Sequence, residues 1–138
     1  MPEEIKRVDY YYAMVADKPG TGAGVLHAVR QGGISLLGVS AFPHGSGKTQ
    51  VDLIVHDGAA LERAAKEAKL KISKKKSGFL IQGDDRPGAL AEIAGKLAQA
   101  KVNMTSLQAF CAGSGRYGGM LWVKQKDLAK AAKALGVG

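Results

Sequence analysis

The stretch that decides the fold is Asp85-Arg86-Pro87-Gly88-Ala89-Leu90, because Asp17-Lys18-Pro19-Gly20 repeats its opening 68 positions earlier with only Lys18 for Arg86 changed. The offset continues without a gap. Ala23 falls on Ala91, Gln31 on Gln99, Ala41-Phe42 on Ala109-Phe110, Gly45-Ser46-Gly47 on Gly113-Ser114-Gly115, and Leu53 and Val55 on Leu121 and Val123. Between 17–57 and 85–125 there are twelve identities in forty-one pairs, well above chance, so the chain reads as two copies of one unit. The expected division is 1–75 and 76–138.

Each copy opens on a β-rich run, Val8 to Val15 and Phe79 to Gly83. Asp-x-Pro-Gly ends the strand, since proline lacks a donor and glycine permits a tight turn. A helix follows. In the second copy Leu90, Ile93, Ala94, Leu97 and Ala98 form an amphipathic stripe; in the first, Gly22 and Gly24 weaken the opening turns. Two strands come next, Ile34 to Phe42 and Gln50 to His56, with counterparts Val102 to Cys111 and Gly118 to Lys124. An Ala- and Lys-rich helix closes each copy, Ala59 to Ala68 and Lys126 to Leu135, and Leu70 to Lys74 reads as a last strand for copy one only. The order βαββαβ predicts an α+β fold of two tandem ferredoxin-like units, antiparallel sheets with helices on one face, the second with a short or missing last strand.

The second turn, its helix and Lys101-Val102-Asn103-Met104 opening the next strand resemble the ACT domain, a small regulatory module attached to amino-acid enzymes. As a whole the chain resembles a free-standing tandem ACT-domain protein. The resemblance implies a non-catalytic regulatory protein that binds a free amino acid or similar small zwitterion and modulates an enzyme or another regulator.

The residues suit that ligand. A turn before a helix leaves free N–H groups that favour a carboxylate. Asp85 offers a cap or an ammonium acceptor, Gly88 allows close approach to the backbone, and Asn103 carries both donor and acceptor. The expected site is Asp85, Arg86, Pro87, Gly88, Ala89, Leu90 and Asn103, with Asp17, Pro19, Gly20 and Ser35 as the first-copy equivalents. Ser35 replaces Asn103 and Thr21-Gly22 replaces Ala89-Leu90, so the second turn is the stronger candidate.

Composition narrows the alternatives. With 46% hydrophobic and 23% charged residues, the chain has globular proportions. No apolar run approaches the ~20 residues of a membrane span, and the first residues contain no secretory signal, so a cytoplasmic protein without a membrane partner is expected. One cysteine, Cys111, excludes an internal disulfide and a cysteine-cluster zinc site. His27, His44 and His56 have no metal-ligand spacing, no cofactor is implied, and the chain reads as not an enzyme. Gly20-Thr21-Gly22-Ala23-Gly24 lacks the third glycine and the acidic residue of a dinucleotide loop.

The net charge of +8 is partly local: Lys66, Lys69, Lys71, Lys74, Lys75 and Lys76 fall within eleven positions. Lysines so placed fit a solvated helix face and a charged edge strand. The alternative function is an RNA-binding protein using its sheet, through Arg116-Tyr117-Gly118-Gly119-Met120-Leu121-Trp122-Val123 and the basic surface. The matching run Lys48-Thr49-Gln50-Val51-Asp52 has no aromatic, so nucleic acid is not the expected partner. Finally, strand alternation places Leu53, Val55, Leu121 and Val123 under the helices and Ile54, Met120 and Trp122 on the opposite face. An apolar face of that kind predicts a covering sheet, either from the other copy by face-to-face packing or from another chain, with a homodimer as the favoured reading.

Overall fold

The computed structural model describes residues 3–138. The elements are β1 (Glu4–Ala16), α1 (Thr21–Gln31), β2 (Leu36–Gly45), β3 (Lys48–Val55), α2 (Gly58–Glu67), β4 (Lys76–Asp84), α3 (Ala89–Gln99), β5 (Met104–Cys111), β6 (Arg116–Val123) and α4 (Leu128–Leu135), with a 3-10 turn at Gln125–Asp127 before α4. The fold is α+β with antiparallel pairing. Two compact units are present: Asp9–Lys76, and Ser77–Gly138 together with residues 3–8.

In the unit Asp9–Lys76 the strand order is β2-β3-β1. Tyr11 lies opposite Leu53 on β3, and Val39 opposite Leu53 from the other side. Alternate residues Tyr11 and Ala13 of β1 and Val51, Leu53 and Val55 of β3 share one face and pack against Val25 and Val29 of α1 and Leu61 of α2. Leu70 to Lys74 is not a strand here. Ser73 N–H donates to the Tyr12 carbonyl at 2.8 Å, but the Tyr12 N–H goes to the Ser73 hydroxyl at 2.9 Å instead of to a carbonyl, which ends a regular ladder. Leu70 and Ile72 still pack against the core.

In the unit Ser77–Gly138 the order is β4-β6-β5, with Phe79 opposite Leu121 and Leu107 opposite Leu121. Phe79, Ile81, Leu121 and Val123 pack under Ile93 and Leu97 of α3 and Leu128, Ala131 and Leu135 of α4. Residues 136–138 form no strand. Residues 3–8, at the start of the chain, join this unit instead: Ile5 packs against its core, and Gly83 backs so closely on Glu3 that a Cβ there would stand 3.0 Å from Glu3 Cγ.

The turns repeat as the sequence does. Asp17 N–H donates to Gly47 O at 2.8 Å and Asp85 N–H to Gly115 O at 2.9 Å; Ile34 N–H reaches Val29 O at 3.2 Å and Val102 N–H reaches Leu97 O at 2.9 Å.

The face opposite the helices corrects one expectation. Ile54, Met120 and Trp122 are not exposed: they are 2%, 5% and 5% accessible within the single chain, so they do not call for a second chain. Glycines stand close against two of them. A Cβ on Gly38 would meet Ile54 Cδ1 at 3.3 Å, and one on Gly78 would meet Met120 Cε at 2.5 Å.

This face also holds a buried carboxylate, Asp52, which accepts from Gln50 Nε2 at 2.9 Å. Burial pushes its carboxyl above the usual range, and the Gln50 donor and the Lys76 charge pull the other way. Tyr10 is pushed up to about 12 by burial and by Asp52. A carboxyl whose folded pKa is raised contributes stability that is present below its unfolded pKa and lost as pH rises through the folded value. Asp52→Asn keeps the acceptor for Gln50 and removes the charge. It is expected to raise stability at neutral pH by about 1 kcal/mol, the scale of a desolvated polar group, and the gain should vanish toward pH ~4. Thermal melts of both proteins across that range check this.

Candidate functional site

The site forms where β4 ends. Gly88 takes a left-handed conformation (φ 80°) and no side chain caps α3. Ala89 N–H reaches Arg86 O only at 3.4 Å and Glu92 N–H reaches Gly88 O at 3.2 Å, which leaves Leu90 and Ala91 N–H groups at the open end of the helix. Against this end lies a cavity of about 250 Å³, lined by Asp85, Arg86 and Gly88–Ala91 on one side and by Ala109, Phe110, Cys111 and Tyr117 on the other. Helix dipole and free donors make its upper wall favourable to an anion. Asp85 adds a carboxylate, and Leu90, Ala109 and the 73% exposed Phe110 add apolar surface.

Arg86 is in the cavity wall, but its terminal nitrogens are engaged. Nη2 donates to Glu3 Oε1 at 3.0 Å and Oε2 at 3.2 Å, while Nη1 and Nη2 donate to the Glu92 oxygens at 3.0 Å each. The Glu3 side chain is wholly buried. Hydrogen bonding to Glu92 leads the upward shift of Arg86, and Arg86 in turn holds Glu92 below the usual carboxylate range. Arg86 thus clamps residue 3 to the first turn of α3, leaving Nε without a partner among the described residues. Tyr117 Oη, also buried, has none there either. Cys111 is exposed, and its thiol is held above the usual range by partial desolvation and by the neighbouring Asp85 carboxylate, which disfavours the thiolate a nucleophile needs.

Of the expected residues, Asp85, Arg86, Gly88, Ala89 and Leu90 line this one cavity, and Pro87 is exposed in the turn between them. Asn103 does not join them. It is exposed just before β5, whereas the cavity uses the other end of that strand, roughly 20–25 Å along an extended chain. Asp17, Pro19 and Gly20 are exposed and line none of the described cavities; Ser35 is exposed in the loop before β2. The substitutions explain the difference: Gly22, Pro43 and Thr49 stand where Leu90, Cys111 and Tyr117 supply walls. Sequence reasoning missed Ala109, Phe110, Cys111 and Tyr117 as site residues; the repeated Ala-Phe pair was their only signal. Tyr117, Met120 and Trp122, which an RNA-binding sheet would present to bases, are buried at 6%, 5% and 5% accessibility. Among the described residues no group of three or more His, Cys, Asp or Glu could hold a metal, and no helix is long and apolar enough to cross a membrane.

Residues 79–136 match the ACT domain family model. No curated protein matches the chain. Among solved structures, protein BT0572 from Bacteroides thetaiotaomicron aligns with a TM-score of 0.79 at 18% identity over 94% of this chain and 87% of that one. The ligand-free regulatory subunit of aspartate kinase from Thermus thermophilus aligns with a TM-score of 0.61 at 16% identity, over 97% and 94%. That from Thermus flavus gives 0.60 at 16%, over 99% and 95%. Identities this low carry the fold alone.

Backbone strain at the site is open to measurement. Nothing stands within 4 Å of a Cβ added at Gly88 or Gly95, but only Gly88 has a positive φ. Gly88→Ala is expected to cost about 1–2 kcal/mol, and Gly95→Ala, in the interior of α3, to add roughly 0.5–1 kcal/mol. Denaturant melts of the pair check both signs.

Proposed function

We propose that this chain, whose residues 79–136 match the ACT domain family model, is a non-catalytic regulatory protein of two ACT-like units in tandem that binds a free amino acid or similar small zwitterion. One observation carries the reading: a single cavity joins the uncapped start of α3 to the carboxylate of Asp85 and to an apolar wall. The ligand's carboxylate lies on the Leu90 and Ala91 N–H groups, its ammonium at Asp85 and its side chain toward Ala109 and Phe110. The ACT match and the fold shared with aspartate kinase regulatory subunits support a regulatory role. Its output falls on an enzyme or another regulator in the cytoplasm, where free amino acids are plentiful.

Assembly as a homodimer belongs to the same reading, through β5 and not through the face of Ile54 and Trp122. β5 is the end strand of its unit, and it carries Phe110, 73% exposed at the mouth of the cavity. An end strand with an exposed aromatic side chain favours pairing with a second copy.

A thermal-shift screen of the common amino acids tests the ligand. Saturation at ~100 times the dissociation constant is expected to add ~2.7 kcal/mol for at least one of them. Asp85→Ala should weaken that ligand about tenfold, the loss of one charge-assisted contact. No shift with any amino acid at millimolar concentration overturns the reading. Sedimentation equilibrium tests assembly: the wild type should be dimeric at tens of micromolar and Phe110→Lys monomeric. A monomeric wild type overturns the dimer.

A further inference from the structure

Residues 66–76 hold six lysines and one glutamate, five of the chain's eight net positive charges. After α2, Lys69 (φ 56°) turns the backbone into an extended strap held on β1 by Ser73. Leu70 and Ile72 face the core, while Lys69, Lys71, Lys74 and Lys75 are exposed, so alternation puts apolar side chains in and cations out. Two open cavities, about 350 and 450 Å³, share Lys71 and Ser73; the first adds Lys66, Lys74 and Lys75, the second Lys48. None of Lys48, Lys66, Lys69, Lys71, Lys74 and Lys75 pairs with a carboxylate among the described residues. Glu62, the carboxylate in the first cavity, accepts from the Tyr11 hydroxyl.

A solvated surface tolerates lysines singly. Six unpaired ammonium groups this dense repel one another and attract a polyanion. Its class follows from what the strap lacks. Protein interfaces centre on Arg, Tyr and Trp and are depleted in Lys, and the strap has none of those anchors. Polybasic segments that hold anionic lipid stand beside a membrane span or on an amphipathic helix, and the strap is neither. Phosphates accept lysine as a point charge without bidentate geometry. Lys69 and Lys71, two positions apart in the strap, stand roughly 6.6–6.8 Å apart along an extended chain, and Lys74 and Lys75 carry the charge further along it, which suits a linear ligand.

We propose that this lysine strap, with Lys48, is a docking surface for the phosphate backbone of a nucleic acid strand, bound without sequence preference. It uses neither the buried face of the sheet nor the cavity at α3, so it stands independently of the amino-acid reading.

Fluorescence anisotropy of a labelled oligothymidylate of about 20 nucleotides, on the full chain from about 50 to about 200 mM salt, tests it. Binding should weaken with a log–log slope of about −3 to −4, as ~5 phosphate contacts on a single strand require. The triple variant Lys69→Glu, Lys71→Glu, Lys75→Glu should weaken binding at least tenfold. The triple variant Lys124→Glu, Lys126→Glu, Lys130→Glu makes the same charge change on other exposed lysines and should weaken it less than about threefold, with circular dichroism showing both folded. No binding at the lowest salt overturns the proposal, as does equal weakening by the two variants. Competition by a polyglutamate peptide or by anionic phosphatidylserine vesicles as strong as by unlabelled oligonucleotide also overturns it, in favour of an acidic protein or a membrane surface.

Discussion

At each strand-to-helix turn one backbone hydrogen bond sets where the rest of the unit sits: Asp85 N–H to Gly115 O, and Asp17 N–H to Gly47 O. It ties the end of a strand to the tip of the hairpin that joins the other two strands of the same unit, β2 to β3 or β5 to β6. Three residues later a left-handed glycine, Gly88 or Gly20, starts the helix without a side-chain cap. The backbone itself thus sets where the helix begins. Val25 and Val29, or Ile93 and Leu97, then have a single way to meet the sheet. The uncapped N–H groups that result are also the anion-favouring wall of the cavity, so fold and site share one constraint.

Electrostatics divides the work between the units. In the unit Ser77–Gly138, Arg86 spends its terminal nitrogens on Glu3 and Glu92. A wholly buried Glu3 carboxylate is costly to desolvate, and the two-pronged contact with Arg86 offsets that cost. The arrangement removes the most prominent cation of the turn from ligand binding and leaves backbone donors to do that job. In the unit Asp9–Lys76, the carboxylate Asp52 is buried with a hydrogen-bond donor and Lys76 nearby, while the other lysines of its closing strap stay unpaired.

Much of this was legible in the sequence. The offset of 68 set the order of strands and helices, proline and glycine marked both helix starts, and alternation on β3 and β6 named the residues beneath the helices. Half of the cavity, Asp85 to Leu90, was read from the turn itself, because those residues are neighbours in the chain. The other half was not: Phe110, Cys111 and Tyr117 reach it across a hairpin, while Asn103, expected at the ligand, stands at the far end of β5 from this cavity.

What the sequence by itself determined was local: which residues turn, which start a helix and which face of a strand each side chain takes, since these follow from φ preferences and from periods of two and 3.6. Tertiary structure alone decided what lies over each face. It buried Ile54, Met120 and Trp122, which periodicity had placed on an open side; it brought Glu3 to Arg86 across 83 positions; and it kept Leu70 to Lys74 a strap because the Ser73 hydroxyl took the place of a carbonyl. Coverage and pairing depend on distances between chain segments, and no local pattern of residues encodes them.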